Sequence, residues 1–166
     1  MTRRAHRVAT GLLRFTAIIV LLAQGNEFQA QDRIMAITVD DLPCTNCQDT
    51  ENARVVMNGI LDALRMHHGK ATGFVNEGKL HRDGALDQER TGLLRTWLSE
   101  GHELGNHTWS HIAINTATLD EYKEDVLKGE RICRPLMAEF GKQLTYFRHT
   151  QLRTGPTIAF RDSLNA

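Results

Sequence analysis

Residues 34–41 read Ile-Met-Ala-Ile-Thr-Val-Asp-Asp, a short apolar run that ends in two adjacent carboxylates. Apolar runs of four to eight residues that are closed by turn residues are typical of strands buried in a sheet. Leu42 and Pro43 close this run, which predicts a buried strand over residues 33–39 with Asp40 and Asp41 at its carboxyl end. Because side chains alternate along a strand, the two carboxylates can point in different directions and take different roles.

The rest of the chain predicts helices and strands in alternation. Helical spacing of apolar residues predicts helices over 51–67, 87–100 and 118–140. Short apolar runs predict further strands over 71–75, 102–106 and 144–147. Thr118 and Glu121 form a capping-box pattern at the start of the long helix, which Gly129 weakens and Pro135 breaks or kinks. The β-α-β-α-β-α-β order predicts an α/β fold with parallel strands.

Polar residues follow three of the predicted strands, at the edge where such folds bind ligands. Asp40 and Asp41 end the first strand, His107 and His111 follow the third, and Arg148 follows the fourth. On a helix or a helical turn, a four-residue spacing puts both imidazoles on one face. Two imidazoles and one carboxylate can hold a divalent metal with an open position, and the second carboxylate can act as a base. The pattern favours a metal-dependent hydrolase.

The same residues have other interpretations. Two histidines and one carboxylate also describe non-haem iron oxygenases, although the β-α alternation and the second carboxylate argue against that class. An Asp-Asp pair before Leu-Pro is a common turn or cap feature, and a lone His-x3-His pair is often coincidental. The joint placement at strand ends is what supports the metal-site hypothesis.

The first thirty residues differ in composition from the rest. Four arginines precede an apolar stretch over 15–23, and Phe28-Gln29-Ala30 ends in a small residue. This order predicts a signal peptide over 1–30 and a mature domain over 31–166, hence an exported protein, periplasmic or secreted. The apolar stretch is shorter than the roughly 20 residues of a membrane span, so we expect no stable span after cleavage. An uncleaved N-terminal anchor is the alternative.

Charge and length narrow the class of partner. The 166 residues suffice for one modest domain, and the formal net charge is zero. Without residues 1–30 the chain keeps 16 Lys and Arg against 19 Asp and Glu. We therefore expect no nucleic-acid partner, because that function needs a strong positive field. The sequence leaves the oligomeric state undetermined.

Three cysteines remain to be placed. Cys44 and Cys47 are spaced as a redox pair, half of a zinc site or a local disulfide, and a structural zinc site needs a second pair that this chain lacks. For an exported protein a loop disulfide is the favoured interpretation. Cys133, in an apolar helical stretch, is predicted to be a small core residue.

The chain resembles the polysaccharide deacetylase family, the NodB-homology domain of carbohydrate esterase family 4. Residues 38–41, Thr-Val-Asp-Asp, are similar to that family's first motif, Thr-Phe-Asp-Asp. Residues 105–111, Gly-Asn-His-Thr-Trp-Ser-His, are similar to the second, His-Ser/Thr-x-x-His with a Gly-Asn lead-in. Residues 146–155 are similar to the third, an Arg-x-Pro segment, with Thr150 in place of the proline. The motifs occur in family order.

This resemblance implies a role for each matched residue. The implied metal ligands are Asp41, His107 and His111, usually for Zn²⁺ and sometimes for Co²⁺ or another divalent ion. Asp40 is the implied catalytic base, and Arg148 orients it. The Thr108 hydroxyl supports the histidine loop, and the backbone N–H of Gln151 serves the oxyanion. The implied activity is removal of N- or O-acetyl groups from an acetylated carbohydrate.

The resemblance also implies that parts of the family fold are missing. The family domain is a (β/α) barrel of seven or eight strands, whereas this chain supplies about four βα units. The fourth and fifth motifs, with a late histidine that acts as general acid, have no match. We therefore expect a partial barrel, the N-terminal portion of such a domain, with weak activity at best. The alternative is a catalytically impaired or inactive fragment that retains a metal-binding half-site.

Overall fold

A four-stranded parallel sheet organises the chain. The computed structural model describes residues 34–46 and 48–164, and the residues from 36 onward form one unit. The strands within these residues are β1 (Ile37–Leu42), β2 (Ala71–Val75), β3 (His81–Arg82), β4 (Ala85–Leu86), β5 (Glu103–Asn106) and β6 (Tyr146–Phe147). The large sheet has the order β1-β2-β5-β6, all parallel, and β3 and β4 form a separate antiparallel pair. The predicted α/β class is confirmed, and the described strands do not close into a barrel.

Five helices accompany the strands in the residues that the structure describes. They are α1 (Thr50–Met66), α2 (Gln88–Ser99), α3 (Leu119–Lys128), α4 (Cys133–Glu139) and α5 (Ile158–Leu164). Short 3₁₀ turns cover Glu77–Leu80 and Thr150–Leu152. Of the helices in the part that the structure describes, none has the length and apolar character needed to cross a membrane. The predicted signal peptide over 1–30 lies outside the described residues.

Side chains fix where the helices begin. The Asp49 carboxylate accepts the N–H of Asn52 at 2.7 Å and caps α1, and the Asp87 carboxylate caps α2 in the same way. These bonds satisfy backbone donors that have no partner inside a helix. Thr118 and Glu121 form the predicted capping box at the start of α3, with both reciprocal bonds present. The capping-box prediction is therefore confirmed.

The prediction of one long helix over 118–140 is wrong. The structure has two helices, and the break lies between Gly129 and Ile132 rather than at Pro135. The buried Glu77 carboxylate accepts the N–H groups of Ile132 at 2.9 Å and Cys133 at 2.6 Å, which caps α4 from another part of the chain. Pro135 lies in the first turn of α4, where the missing N–H removes no helical bond.

Gly129, at the carboxyl end of α3, allows this helix to pack closely against the loop that follows β5. A Cβ built there would lie 2.7 Å from the carbonyl carbon of Thr108 and 2.8 Å from Asn106 Oδ1. Both distances are shorter than any ordinary contact, so only glycine lets α3 approach the loop that follows β5. The end of helix α3 at Gly129 is thus tied to the position of that loop.

Other boundaries also differ from the prediction. Strand β1 starts at Ile37 and continues through Asp40 and Asp41 to Leu42, with an irregular register after Val39. The fourth strand of the sheet has only two residues, Tyr146–Phe147, instead of the predicted four. The β3–β4 pair and the two 3₁₀ turns were not predicted, because each element is too short to produce a periodic pattern.

The core lies between the sheet and the helices α1, α2 and α4. It contains Leu42, Ala71, Val75 and Leu104 from the sheet, Met57, Leu61 and Leu64 from α1, Leu94, Trp97 and Leu98 from α2, and Cys133, Leu136 and Met137 from α4. Cys133 is a fully buried free thiol, as predicted, and burial raises its pKa. Cys44 is buried and disulfide-bonded, while Cys47 lies outside the described residues.

His102 is buried against the core just before β5. Its ring lies 4.7 Å from that of Trp97, and its Nδ1 accepts the N–H of Ala71 at 3.4 Å. Burial, reinforced by the nearby Lys70, lowers the pKa of His102. The folded chain therefore favours the neutral form of this imidazole.

We expect Gly129→Ala to destabilise the fold by about 1–3 kcal/mol, because the added methyl group overpacks the contact between α3 and the loop. Gly59→Ala is the matched control. Gly59 lies inside α1 with nothing within 4 Å of an added Cβ, so alanine there should stabilise by about 0.5–1 kcal/mol. Urea unfolding of both variants measures the two effects. Equal stability of both variants would contradict the packing argument.

We also expect His102 to make stability depend on pH. The unfolded chain, with an imidazole pKa of about 6.5, binds the proton more tightly than the folded chain, so stability falls as the pH decreases below that value. His102→Asn keeps an acceptor for Ala71 but removes the titrating group. The free energy of unfolding should then change less between pH 7 and pH 5 than in the parent chain. An unchanged slope, equal to that of the exposed-site control His68→Asn, would refute the assignment.

Candidate metal-dependent active site

Three side chains at the carboxyl edge of the sheet converge on one point. One ligand atom each from Asp41, His107 and His111 lies within 4.8 Å of the others. His111 Nε2 is 3.6 Å from Asp41 Oδ1, and the two imidazole rings meet edge to face with centroids 5.2 Å apart. The structure therefore brings together the three residues predicted as ligands.

Each polar group of His107 except the ring nitrogen Nε2 has a hydrogen-bond partner. Its backbone N–H donates to Val75 O at 3.0 Å, and its backbone carbonyl accepts from the buried Asn76 amide. Its Nδ1 lies 2.9 Å from the carbonyl oxygen of Arg148. Because a carbonyl only accepts, Nδ1 carries the proton and Nε2 keeps a lone pair for a ligand bond.

The histidine loop, residues 107–112, is not helical, which corrects the prediction that a helix or helical turn sets the spacing of His107 and His111. Thr108 and His111 both have positive φ values, 68° and 59°, in the left-handed region that side chains disfavour. The Thr108 hydroxyl accepts a hydrogen bond from the N–H of His111 at 3.1 Å. The backbone N–H of Thr108 donates to Asn106 Oδ1 at 2.7 Å. These bonds hold a strained loop in place, and such strain is common at functional sites.

Asp40 pairs with Arg148, the residue that follows β6. The Arg148 guanidinium donates from Nη1 to Asp40 Oδ1 at 2.7 Å and to Thr38 Oγ1 at 3.0 Å. The guanidinium carbon lies 4.2 Å above the ring of Phe74, so the arginine is fixed from two sides. The two adjacent carboxylates therefore have different partners, as strand alternation predicts.

Asp41 has a partner that the sequence did not reveal. The Lys79 ammonium lies 3.1 Å from Asp41 Oδ1, and both side chains are largely buried. Asp41 itself has a φ of 66°, which turns its carboxylate toward His111 instead of along the strand. Lys79 belongs to the 3₁₀ turn after β2, a short element with no sequence signature.

The segment after Arg148 is anchored by Thr150, which stands where the motif that this segment resembles has a proline. Thr150 is fully buried, and its hydroxyl donates to the carbonyl oxygen of Ile112 in the histidine loop. Gln151 is exposed and has a φ of 56°. The threonine thus connects this segment to the histidine loop by a hydrogen bond, where proline restricts φ instead. The oxyanion role of Gln151 stays a prediction.

The donor set fits a divalent cation. Two imidazole nitrogens and one carboxylate oxygen are the ligands of many catalytic zinc sites. Burial lowers the pKa of His107, an effect larger than the opposing ones of the Arg148 carbonyl and Asp40. The imidazole is therefore kept neutral, the form that binds metal, and the Arg148 carbonyl fixes its tautomer.

The fold is an α/β domain with a candidate metal site at the carboxyl edge of its sheet, and comparison with known proteins supplies the family. A family model described as polysaccharide deacetylase matches residues 28–160. The chain belongs to this family.

Individual relatives agree with the family assignment. The chain is 31% identical over 97 residues to peptidoglycan-N-acetylglucosamine deacetylase PgdA of Listeria monocytogenes, which covers 58% of this chain and 17% of that protein. It is 31% identical over 103 residues to peptidoglycan-N-acetylmuramic acid deacetylase PdaC of Bacillus subtilis, covering 62% and 19%. The solved structure of PdaC has 26% identity and a TM-score of 0.58, covering 80% of this chain and 55% of that one. The chain thus spans under a fifth of these curated relatives.

We expect the chain to bind one divalent metal ion and His111→Ala to weaken that binding by at least about 100-fold, since it removes one of three protein ligands. His67→Ala, at the exposed end of α1, is the control and should bind as the parent does. Competition with a chromophoric chelator for Zn²⁺ measures both affinities. Binding should also weaken as the pH falls, because protons compete for the imidazoles. Equal affinity of the two variants would exclude the triad.

Proposed function

We propose that the chain is a metal-dependent hydrolase that removes acetyl groups from an amino sugar or polysaccharide. One observation carries the proposal: Arg148 binds both halves of the site. Its carbonyl orients His107, and its guanidinium orients Asp40. A ligand triad and a separate, fixed carboxylate base are the two components that hydrolysis of an acetyl group needs.

Asp40 is the base in this proposal. Arg148 engages its Oδ1, so Oδ2 is available to accept a proton from water as the water oxygen attacks the acetyl carbon. The acetyl C–N or C–O bond then breaks, acetate leaves, and the sugar nitrogen or oxygen takes up a proton. Side-chain exposure of about a third keeps Asp40 within reach of water and substrate.

Asp41, His107 and His111 are the proposed ligands, most simply of Zn²⁺, with Co²⁺ or another divalent ion as the alternative. When bound, such a cation supplies Lewis-acid chemistry, which acidifies a water molecule and polarises a carbonyl. The Thr108 hydroxyl and the Asn76 amide hold the histidine loop in the geometry that this requires.

The names of the relatives support an acetylated cell-wall sugar as the substrate. Both curated relatives are named for acetylated sugars of peptidoglycan. Export to the periplasm or outside the cell follows from such a substrate and from the predicted signal peptide.

We expect the full chain, loaded with Zn²⁺, to release acetate from N-acetylated chito-oligosaccharide or peptidoglycan fragments. Asp40→Asn should lower kcat by about 10²–10⁴-fold, because the amide cannot accept the proton. Metal affinity should stay within a few-fold, since Asp40 is not among the proposed ligands. An enzymatic acetate assay and a metal titration on the same samples measure the two effects.

Asp120→Asn is the matched control, because this aspartate lies in the first turn of α3 and is not one of the proposed site residues. It should leave acetate release unchanged. If the parent chain binds metal but releases no acetate, or if Asp40→Asn is as active as Asp120→Asn, the proposal is wrong.

A further inference from the structure

A groove shares one lining residue, Lys79, with the surroundings of the metal-site candidate. It has a volume of about 570 Å³ and is lined by Cys44, Thr45, Asn46, Gln48, Lys79 and Arg90. The first four follow β1, and Lys79 follows β2, so the groove lies at the carboxyl edge of the sheet. Lys79 connects the two features, because its ammonium lies 3.1 Å from Asp41 Oδ1 and the same residue is among those that line the groove.

The lining favours an anion with hydroxyl groups around it. Lysine and arginine supply its charged groups, and none of the six described lining residues is a carboxylate. Thr45, Asn46 and Gln48 offer neutral hydrogen-bonding groups of the kind that sugar hydroxyls require. Arg90 is committed to the fold, since it donates to Lys79 O at 2.7 Å and lies 3.7 Å from Asp87 Oδ2. Lys79 is therefore the cation that can turn to a ligand.

The charges around the metal-site candidate also favour binding of an anion by Lys79. Asp40 pairs with Arg148 and Asp41 pairs with Lys79, so these four side chains sum to zero net charge. A divalent cation in the triad makes the sum positive and shares the charge of Asp41. The ammonium then has a weaker hold on Asp41 and two further N–H groups to offer.

We propose that this groove is a subsite for a carboxylate carried by the acetylated sugar, with Lys79 as its specificity-determining residue. The inference rests on the proposed function, and it narrows the substrate class to acidic acetylated sugars. The acetyl group lies at the triad while the carboxylate, a few ångströms away on the same sugar, pairs with the ammonium. A neutral acetylated sugar fits the same groove without this ion pair.

Two monosaccharides test the subsite by binding alone. N-acetylmuramic acid and N-acetylglucosamine differ by one lactyl ether that carries a carboxylate. We expect the Zn²⁺-loaded full chain to bind the acidic sugar about tenfold more tightly in calorimetric or NMR titrations, with the preference shrinking as salt rises from 0.05 to 0.5 M. Lys79→Met should bring the ratio of the two affinities to about one, and Lys79→Arg should retain part of the preference.

The ratio is the decisive quantity, because any effect of Lys79→Met on the metal acts on both sugars and cancels. Lys142→Met is the matched control: Lys142 also pairs with a carboxylate, Glu103 at 3.7 Å, but at the amino end of β5. It should keep the parent ratio. Equal binding of both sugars by the parent chain, binding of neither, or a preference that survives Lys79→Met would each overturn the subsite. Absence of acetate release with the ratio intact would instead refute only the proposed function.

Discussion

The hydrogen bond between the Arg148 carbonyl and His107 Nδ1 is the contact on which the site depends. Arg148, the residue after β6, sets the tautomer of the proposed ligand His107 through its backbone carbonyl. Its side chain orients the proposed base Asp40. The strands β5 and β6 pair directly, with Asn106 opposite Phe147, so sheet register delivers Arg148 to His107. A slip of one residue would turn both groups away.

Buried polar side chains beneath the site hold the histidine loop in position. Asn76 and Asn106 are almost fully buried, and each hydrogen-bonds to the histidine loop. Glu77, the neighbour of Asn76, caps α4, and burial raises its pKa although the helix N–H groups act in the opposite direction. Helix α4 is therefore tied to the turn after β2. Buried polar groups of this kind cost free energy unless they are paired, so their pairing specifies one position for the loop.

Much of this site is predictable from sequence because strand order is a local signal. The apolar run before Asp40 and the alternation of helices and strands place Asp41, His107 and Arg148 at one edge, where the structure finds them. Lys79, Thr150 and Glu77 were missed because their roles depend on contacts with residues tens of positions away, which no periodicity encodes. The long helix was predicted wrongly for the same reason: Glu77, 55 residues before Ile132, decides where α4 begins.

The two carboxylates of β1 illustrate how a fold separates the roles of neighbours. Strand alternation alone gives them opposite directions, and the positive φ of Asp41 and the irregular register after Val39 then place the Asp41 carboxylate beside His111. Each then acquires its own cation, Arg148 for Asp40 and Lys79 for Asp41. The first cation is fixed by Phe74 and Thr38, whereas the second ends a flexible four-carbon stem beside an open groove. A fixed cation suits orientation of a base, and a movable one suits recognition of a ligand, so the difference between the two partners follows from how tightly the surrounding chain holds them.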